Sequence, residues 1–148
     1  MSSLMDKITE DLKKAMKARE GERVATLRMV IAALKNEKIA LRRDLTDDDV
    51  VRVLKKGIKS RKEAIDLYRQ GERNDLAEKE EREIKILEEY LPEQMTPEEI
   101  EKAAAELIKE LGIETQKQLG LFMKEFMNRY KGRVDGKLVQ QAAKKLLK

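Results

Sequence analysis

The chain has 148 residues, 42% of them charged and 3% aromatic, with 33 Lys/Arg against 29 Asp/Glu for a net charge of +4. It contains no Cys and no His, which excludes disulfides, Cys/His zinc sites, thiol nucleophiles and Ser–His pairs. The length fits one domain or two small ones, and the wealth of Ala, Glu, Lys, Leu and Arg with only 2 Pro and 7 Gly favours helices joined by short turns.

Apolar residues at Leu4, Ile8, Leu12, Ala15 and Met16 predict a first helix, capped by Ser3 and ended by Gly21. The segment from Met1 to Arg19 is charged throughout, unlike a secretory leader. No apolar run approaches the roughly 20 residues that span a bilayer, so a cytoplasmic location without membrane contact is expected. A second helix is predicted from Glu22 to Arg43. Val24, Leu27, Ile31 and Leu34 form its stripe, Val30, Ala33 and Met29 widen it, and Arg23, Arg28, Lys35, Lys38, Arg42 and Arg43 lie opposite.

Thr46 before Asp47, Asp48 and Asp49 reads as a helix start, because a hydroxyl accepts from free N–H groups and carboxylates favour the positive end of the dipole. The three acids lack the glycine and distal Glu of a calcium loop, so no metal is assigned. This third helix carries Val50, Val51, Leu54, Ile58, Ile65 and Tyr68 to Gln70, and Gly71 ends it. Asn74 or Asp75 should cap a fourth, from Leu76 to Tyr90, with Leu76, Ile84, Leu87 and Leu91 inward. Its acids Glu78, Glu80, Glu81, Glu83, Glu88 and Glu89 interleave with Lys79, Arg82 and Lys85, the pattern of an exposed helix laced with i,i+4 pairs rather than of a catalytic carboxylate pair.

Leu91-Pro92 breaks the helical pattern, and Thr96-Pro97-Glu98-Glu99 starts a new one with Thr96 as cap and Glu99 completing a capping box. The expected organisation is an N-terminal four-helix domain, 1–93, and a C-terminal three-helix domain, 94–148. In the latter, one helix buries Ile100, Ala104, Leu107 and Ile108 before Gly112. A second opens at Thr115 and runs through Tyr130 with Leu119, Phe122, Met123, Phe126 and Met127 as its apolar positions. Phe122 and Phe126, one turn apart, are expected in the core rather than as a stacking platform, and Gly120 is expected at a close helix approach. The last helix, from Gly136, turns Leu138, Val139, Ala142, Leu146 and Leu147 inward and leaves Lys137, Lys144, Lys145 and Lys148 in water.

Charge is unevenly spread: residues 94–114 carry −4 and residues 115–148 carry +7. Such a basic field favours an anionic partner, RNA first. Its centre is the turn Lys131-Gly132-Arg133-Val134-Asp135-Gly136-Lys137. There Gly132 suits a positive φ and Asp135 suits a cap. Gly136 leaves amides unshielded for a phosphate, although Asp135 competes for them. No strand precedes the glycines, so no nucleotide-binding loop and no cofactor are predicted.

The run Lys131-Gly132-Arg133-Val134-Asp135-Gly136-Lys137-Leu138-Val139, with Gly120 upstream, resembles the C-terminal motif of the YqeY family, shared with the tail domain of the B subunit of tRNA-dependent amidotransferases. Thr26-Leu27-Arg28, Arg61-Lys62-Glu63-Ala64-Ile65, Gly71-Glu72-Arg73-Asn74-Asp75-Leu76-Ala77, Glu80, Glu83 and Tyr90-Leu91-Pro92 follow the same pattern in order. The family has Ala at the position of Val134 and Asp at that of Asn74. The resemblance implies an all-α protein of two domains whose tail contacts RNA, while the glutamine-dependent carbon–nitrogen ligase chemistry of the amidotransferase resides in other domains. The sequence reading is a non-catalytic tRNA-binding accessory module. Lys124, Arg129, Lys131, Arg133, Lys137, Lys144 and Lys145 would touch phosphates, and Gly120, Gly132, Asp135 and Gly136 would shape the motif. Amidotransferase or other translation proteins are further expected partners. A helical protein–protein adaptor and a ligase component are the alternatives.

Overall fold

The computed structural model describes residues 3–147, which leaves Lys148 outside the description. Among the described residues the fold is all α, with seven helices: α1 (Leu4–Lys17), α2 (Gly21–Leu41), α3 (Asp47–Gln70), α4 (Asn74–Glu88), α5 (Pro97–Leu111), α6 (Leu119–Arg129) and α7 (Gly136–Leu146). Contacts divide the chain into two compact units, Met1–Leu91 and Pro92–Lys148.

In the first unit α1 packs on α2, and α3 runs along α4. Its core is aliphatic: Ile8, Leu27, Leu34, Val50, Leu54, Ala77 and Leu87 are all but fully buried. The helix starts at Ser3 and Thr46 follow from local chemistry. Each hydroxyl accepts from the N–H three residues on, Asp6 or Asp49, while that residue's carboxylate accepts from the cap's own N–H. The Asp47 carboxylate also accepts from the Leu4 N–H at 2.9 Å, joining the starts of α1 and α3.

Several predicted ends shift. α1 stops at Lys17, Arg19 takes the positive φ of 57° that closes it, and Gly21 opens α2 instead of ending α1. α3 does end at Gln70 with Gly71 as its C-cap, as expected, the positive φ falling one residue later on Glu72. Neither Asn74 nor Asp75 caps α4. The N-cap is Arg73, whose guanidinium is held by the Asp75 carboxylate. Ala33, Met16 and Met29 are exposed, while Thr26 is buried with its hydroxyl donating to the Glu22 carbonyl. That internal hydrogen bond lets a polar side chain occupy the apolar face.

In the second unit α5 and α6 both pack on α7 around Phe122, Phe126, Ile100, Leu107 and Val139. Thr96 forms the expected capping box with Glu99, and Gly112 ends α5 at φ +66°. Thr115 does not open an α-helix; it stands at the N-cap position of a 3₁₀ turn and its side chain makes no capping bond. That turn, Gln116–Gln118, leads into α6, and the Gln118 side chain takes the Glu114 N–H at 3.0 Å. In α7, Leu138 and Leu146 are each 45% exposed, against the inward expectation, whereas Val139, Ala142 and Leu147 are buried. Spacing on so short a helix leaves the edges of its apolar arc undetermined; the neighbours decide which side of the arc is covered.

Candidate functional site

The turn between α6 and α7 is built by its backbone. Tyr130 donates to the Phe126 carbonyl and Arg133 to the Tyr130 carbonyl. Gly132 turns the chain at φ +78°, a region that costs a side chain roughly 1–2 kcal/mol. Val134 is buried, which anchors the turn to the core. The segment before α5 is clasped here. The Met95 N–H donates to the Arg133 carbonyl at 3.0 Å, the Gln94 amide to the Gly132 carbonyl at 2.8 Å, and the Arg133 Nε to the Glu93 carbonyl at 3.0 Å. The basic corner therefore ties the chain as it enters the second unit.

Asp135 caps α7, accepting the Lys137 N–H at 3.0 Å on its carboxylate and the Leu138 and Val139 N–H groups on its carbonyl. The Lys137, Leu138 and Val139 amides that a phosphate would use at this helix start already have acceptors, so an anion contact here falls mainly to side chains. At Gly136 the nearest atom to an added Cβ would be the Met127 methyl at 3.9 Å, an ordinary contact. At Gly120 nothing lies within 4 Å, so the expected close helix approach is absent and nothing in the structure explains this glycine.

The cations of the unit fall into two groups. Arg129 pairs with Glu110 at 2.7 Å and Lys145 with Glu101 at 3.0 Å, both acids coming from α5. The Arg129 guanidinium holds the Glu110 carboxyl below its ordinary range. Folding thus sets part of the acidic segment against the basic one and cancels charge that looks free along the sequence. Lys124 on α6 and Lys137 and Lys144 on α7 are exposed and make no ion pair with the described residues. Lys137 and Lys144, two turns apart, share one face of α7; Lys131 is exposed in the turn that follows α6. Phe122 and Phe126 are fully buried with ring centroids 5.6 Å apart, and Tyr130 stacks beside Phe126 at 4.7 Å. Neither phenylalanine is open to a base.

The first unit holds a cluster that the sequence reading placed on an exposed surface. Glu83 is buried at 5% exposure, and Arg61 of α3 lies between it and Glu80, its Nε 3.7 and 3.8 Å from the two carboxylates. Its Nη1 donates to the Gly57 carbonyl, while the buried Nε has no hydrogen-bond partner. Burial first, then the neighbouring Glu80, push the Glu83 carboxyl above its ordinary pKa. Two more α4 charges and one from its C-cap also reach across helices, Glu81 to Arg69, Arg82 to Glu22 and Glu89 to Arg23, rather than along α4. The signal was register: Glu80 and Glu83 sit four and seven residues from Leu76, on the stripe of Ala77, Ile84 and Leu87. Among the described residues no group of acids is arranged to hold a metal ion.

The sequence profile of the family described as Yqey-like protein matches residues 5–147. The chain belongs to the YqeY family. It is 43% identical to an uncharacterized protein of Schizosaccharomyces pombe over 86 residues, 58% of this chain and 70% of that protein. It is 42% identical over 84 residues to altered inheritance of mitochondria protein 41 of Kluyveromyces lactis, covering 56% of this chain and only 45% of that protein. The protein of the same name from Pyrenophora tritici-repentis is 31% identical over 142 residues, 93% of this chain and 77% of the relative. The Kluyveromyces lactis and Pyrenophora tritici-repentis relatives are named as mitochondrial, which overturns the cytoplasmic expectation. That expectation rested on the lack of a secretory leader and of a long apolar run, and neither feature distinguishes the cytoplasm from the interior of an organelle.

Proposed function

We propose that this YqeY protein is a tRNA-binding accessory module whose C-terminal unit contacts phosphates, related in role to the tail of the amidotransferase B subunit. The observation that carries the reading is the exposed set Lys124, Lys137 and Lys144, cations that no internal acid neutralises. Since Phe122 and Phe126 are committed to the core, recognition would follow charge and shape rather than base stacking. Arg133 is given to the Glu93 carbonyl, Arg129 and Lys145 to α5 acids; on this reading they place the helices and add a weaker share of the field. Titration with unfractionated tRNA across a salt series tests it. Binding should weaken steeply with salt, and Lys124→Gln/Lys137→Gln/Lys144→Gln should lower the log–log slope by about two to three. Absence of binding at low salt, or binding indifferent to salt, overturns the proposal.

The adaptor reading has one observation in its favour. A hollow of about 240 Å³ between α5 and α7 is lined by Pro97, Ile100, Leu138 and Ala142, with Leu138 half exposed. It expects a protein partner that stays bound after nuclease treatment and is released by Leu138→Asp.

A further inference from the structure

The geometry points to a second nucleic-acid contact surface, on the outer face of α3 in the first unit. Its ligand class is that of the preceding reading, RNA bound by its phosphates, but none of its residues is shared with that site. From Val50 to Lys62 the chain holds six cations and no acid. Arg61 turns inward, to Glu80 and Glu83, and Lys55 is half-buried. The remaining four, Arg52, Lys56, Lys59 and Lys62, are exposed and recur at i, i+4, i+7 and i+10 on the solvent side of α3, whose buried face carries Val51, Leu54, Ile58 and Ile65. At 1.5 Å per residue they form a stripe about 15 Å long.

Some cations of this unit are matched by acids of other segments, Arg23 by Glu89, Arg69 by Glu81 and Arg82 by Glu22, and others stay unmatched. What sets α3 apart is the length of its run of cations without an intervening acid. Arg52 touches Asp49 but keeps 73% of its side chain exposed, and Lys56, Lys59 and Lys62 are exposed and make no ion pair with the described residues. Like charges three and four residues apart on a helix repel each other. A bound polyanion would remove that repulsion, and Glu63 and Asp66 mark where the stripe ends.

The form of the stripe selects the partner. One or two cations per turn along a line suit a linear polyanion; a single phosphate needs donors converging on a point. No apolar side chain lies among the four cations; Val50, Leu54, Ile58 and Ile65 are in the core, and the exposed Leu67 lies beyond the end of the stripe, past Glu63 and Asp66. The stripe thus has nothing to insert into a bilayer and lacks the apolar anchor that a protein interface is built around. With no aromatic residue on this face, the contact would follow backbone charge and ignore base sequence.

The test uses the full chain and fluorescence anisotropy with labelled unfractionated tRNA. Lys56→Gln/Lys59→Gln/Lys62→Gln is compared with Lys124→Gln/Lys137→Gln/Lys144→Gln and with Lys56→Arg/Lys59→Arg/Lys62→Arg. The α3 glutamine variant should bind about tenfold more weakly at low salt, with a log–log salt slope smaller by about two to three, while the arginine variant keeps wild-type binding. If the α3 variant weakens binding and the α6–α7 variant does not, the α3 surface stands and the preceding reading falls. The reverse pattern overturns the α3 surface and leaves that reading in place. Failure of the wild-type chain to bind tRNA, or α3-dependent binding to phosphatidylserine vesicles in place of tRNA, also overturns it.

Discussion

The two units solve the same problem, a chain rich in charge, in different ways. In the first, α3 and α4 lie side by side over many turns, and charges of opposite sign meet between helices. Glu83 of α4 is buried beside Arg61 of α3, while the buried Asp49 carboxylate is met locally, by Arg43 of the preceding loop at 2.6 Å and by Arg52 one turn on at 2.5 Å. In the second, the core holds both phenylalanines and α6 and α7 are only 11 residues each, so cross-helix neutralisation is confined to a few contacts. Long parallel contact creates sites for buried ion pairs. Short helices on an aromatic core leave charge outside.

The largest expected effect tests the aromatic side of that contrast. Phe122→Ala removes a fully buried ring that contacts Phe126, and should destabilise the second unit by about 3–5 kcal/mol. Loss of amide-exchange protection in α5, α6 and α7 is the measurement. Retained protection would show that the aliphatic residues alone hold this core. Gly112→Ala should cost roughly 1–2 kcal/mol in chemical denaturation: nothing lies within 4 Å of the added Cβ, so the whole effect comes from φ +66°.

Capping should not distinguish the units, because it is chemistry within four residues. Thr46→Ala and Thr96→Ala should each lose about 1 kcal/mol. A much larger loss at Thr46 would mean that the Asp49 cluster depends on the cap for its geometry. The last test is of pH. The Glu83 carboxyl is raised, so its proton is held more tightly in the folded chain than in the unfolded. Its contribution is complete below the ordinary carboxyl pKa and is lost as pH rises through the folded value. Asp49 is lowered, first by Arg43 and then by the Thr46 amide, so its contribution is present above its unfolded pKa and lost as pH falls through the folded one. Urea denaturation over a pH series should show Glu83→Gln flattening the fall above the ordinary carboxylate range and Asp49→Asn flattening the fall on the acid side. Unchanged profiles would place both carboxyls in water.

Local chemistry was legible where the deciding atoms are neighbours in sequence. Thr46, Thr96, Asp135, Gly112 and Gly132 do what their residue types suggest, since a cap or a positive φ needs only the adjacent backbone. The α-helix expected from Thr115 starts only at Leu119, after a 3₁₀ turn to which the Thr115 side chain adds no capping bond. Where the deciding atoms are far apart in sequence, as at Arg133 in the candidate site, the outcome was not legible. Along the sequence Arg133 is one more free cation, and folding brings the Glu93 carbonyl to it from 40 residues away.

The sequence by itself determined the all-α class, the family, the helix starts and the uneven charge, because composition, periodicity and capping act over a few residues. Only the tertiary structure decided which of those charges remain available. Whether a lysine or carboxylate faces water, an opposite charge or the core depends on which helix is packed beside it, and that is set by the fit of apolar faces far apart in the chain. Lys145 and Arg129 were drawn to α5, Glu83 went inside against Arg61, and Lys56, Lys59 and Lys62 were left facing out.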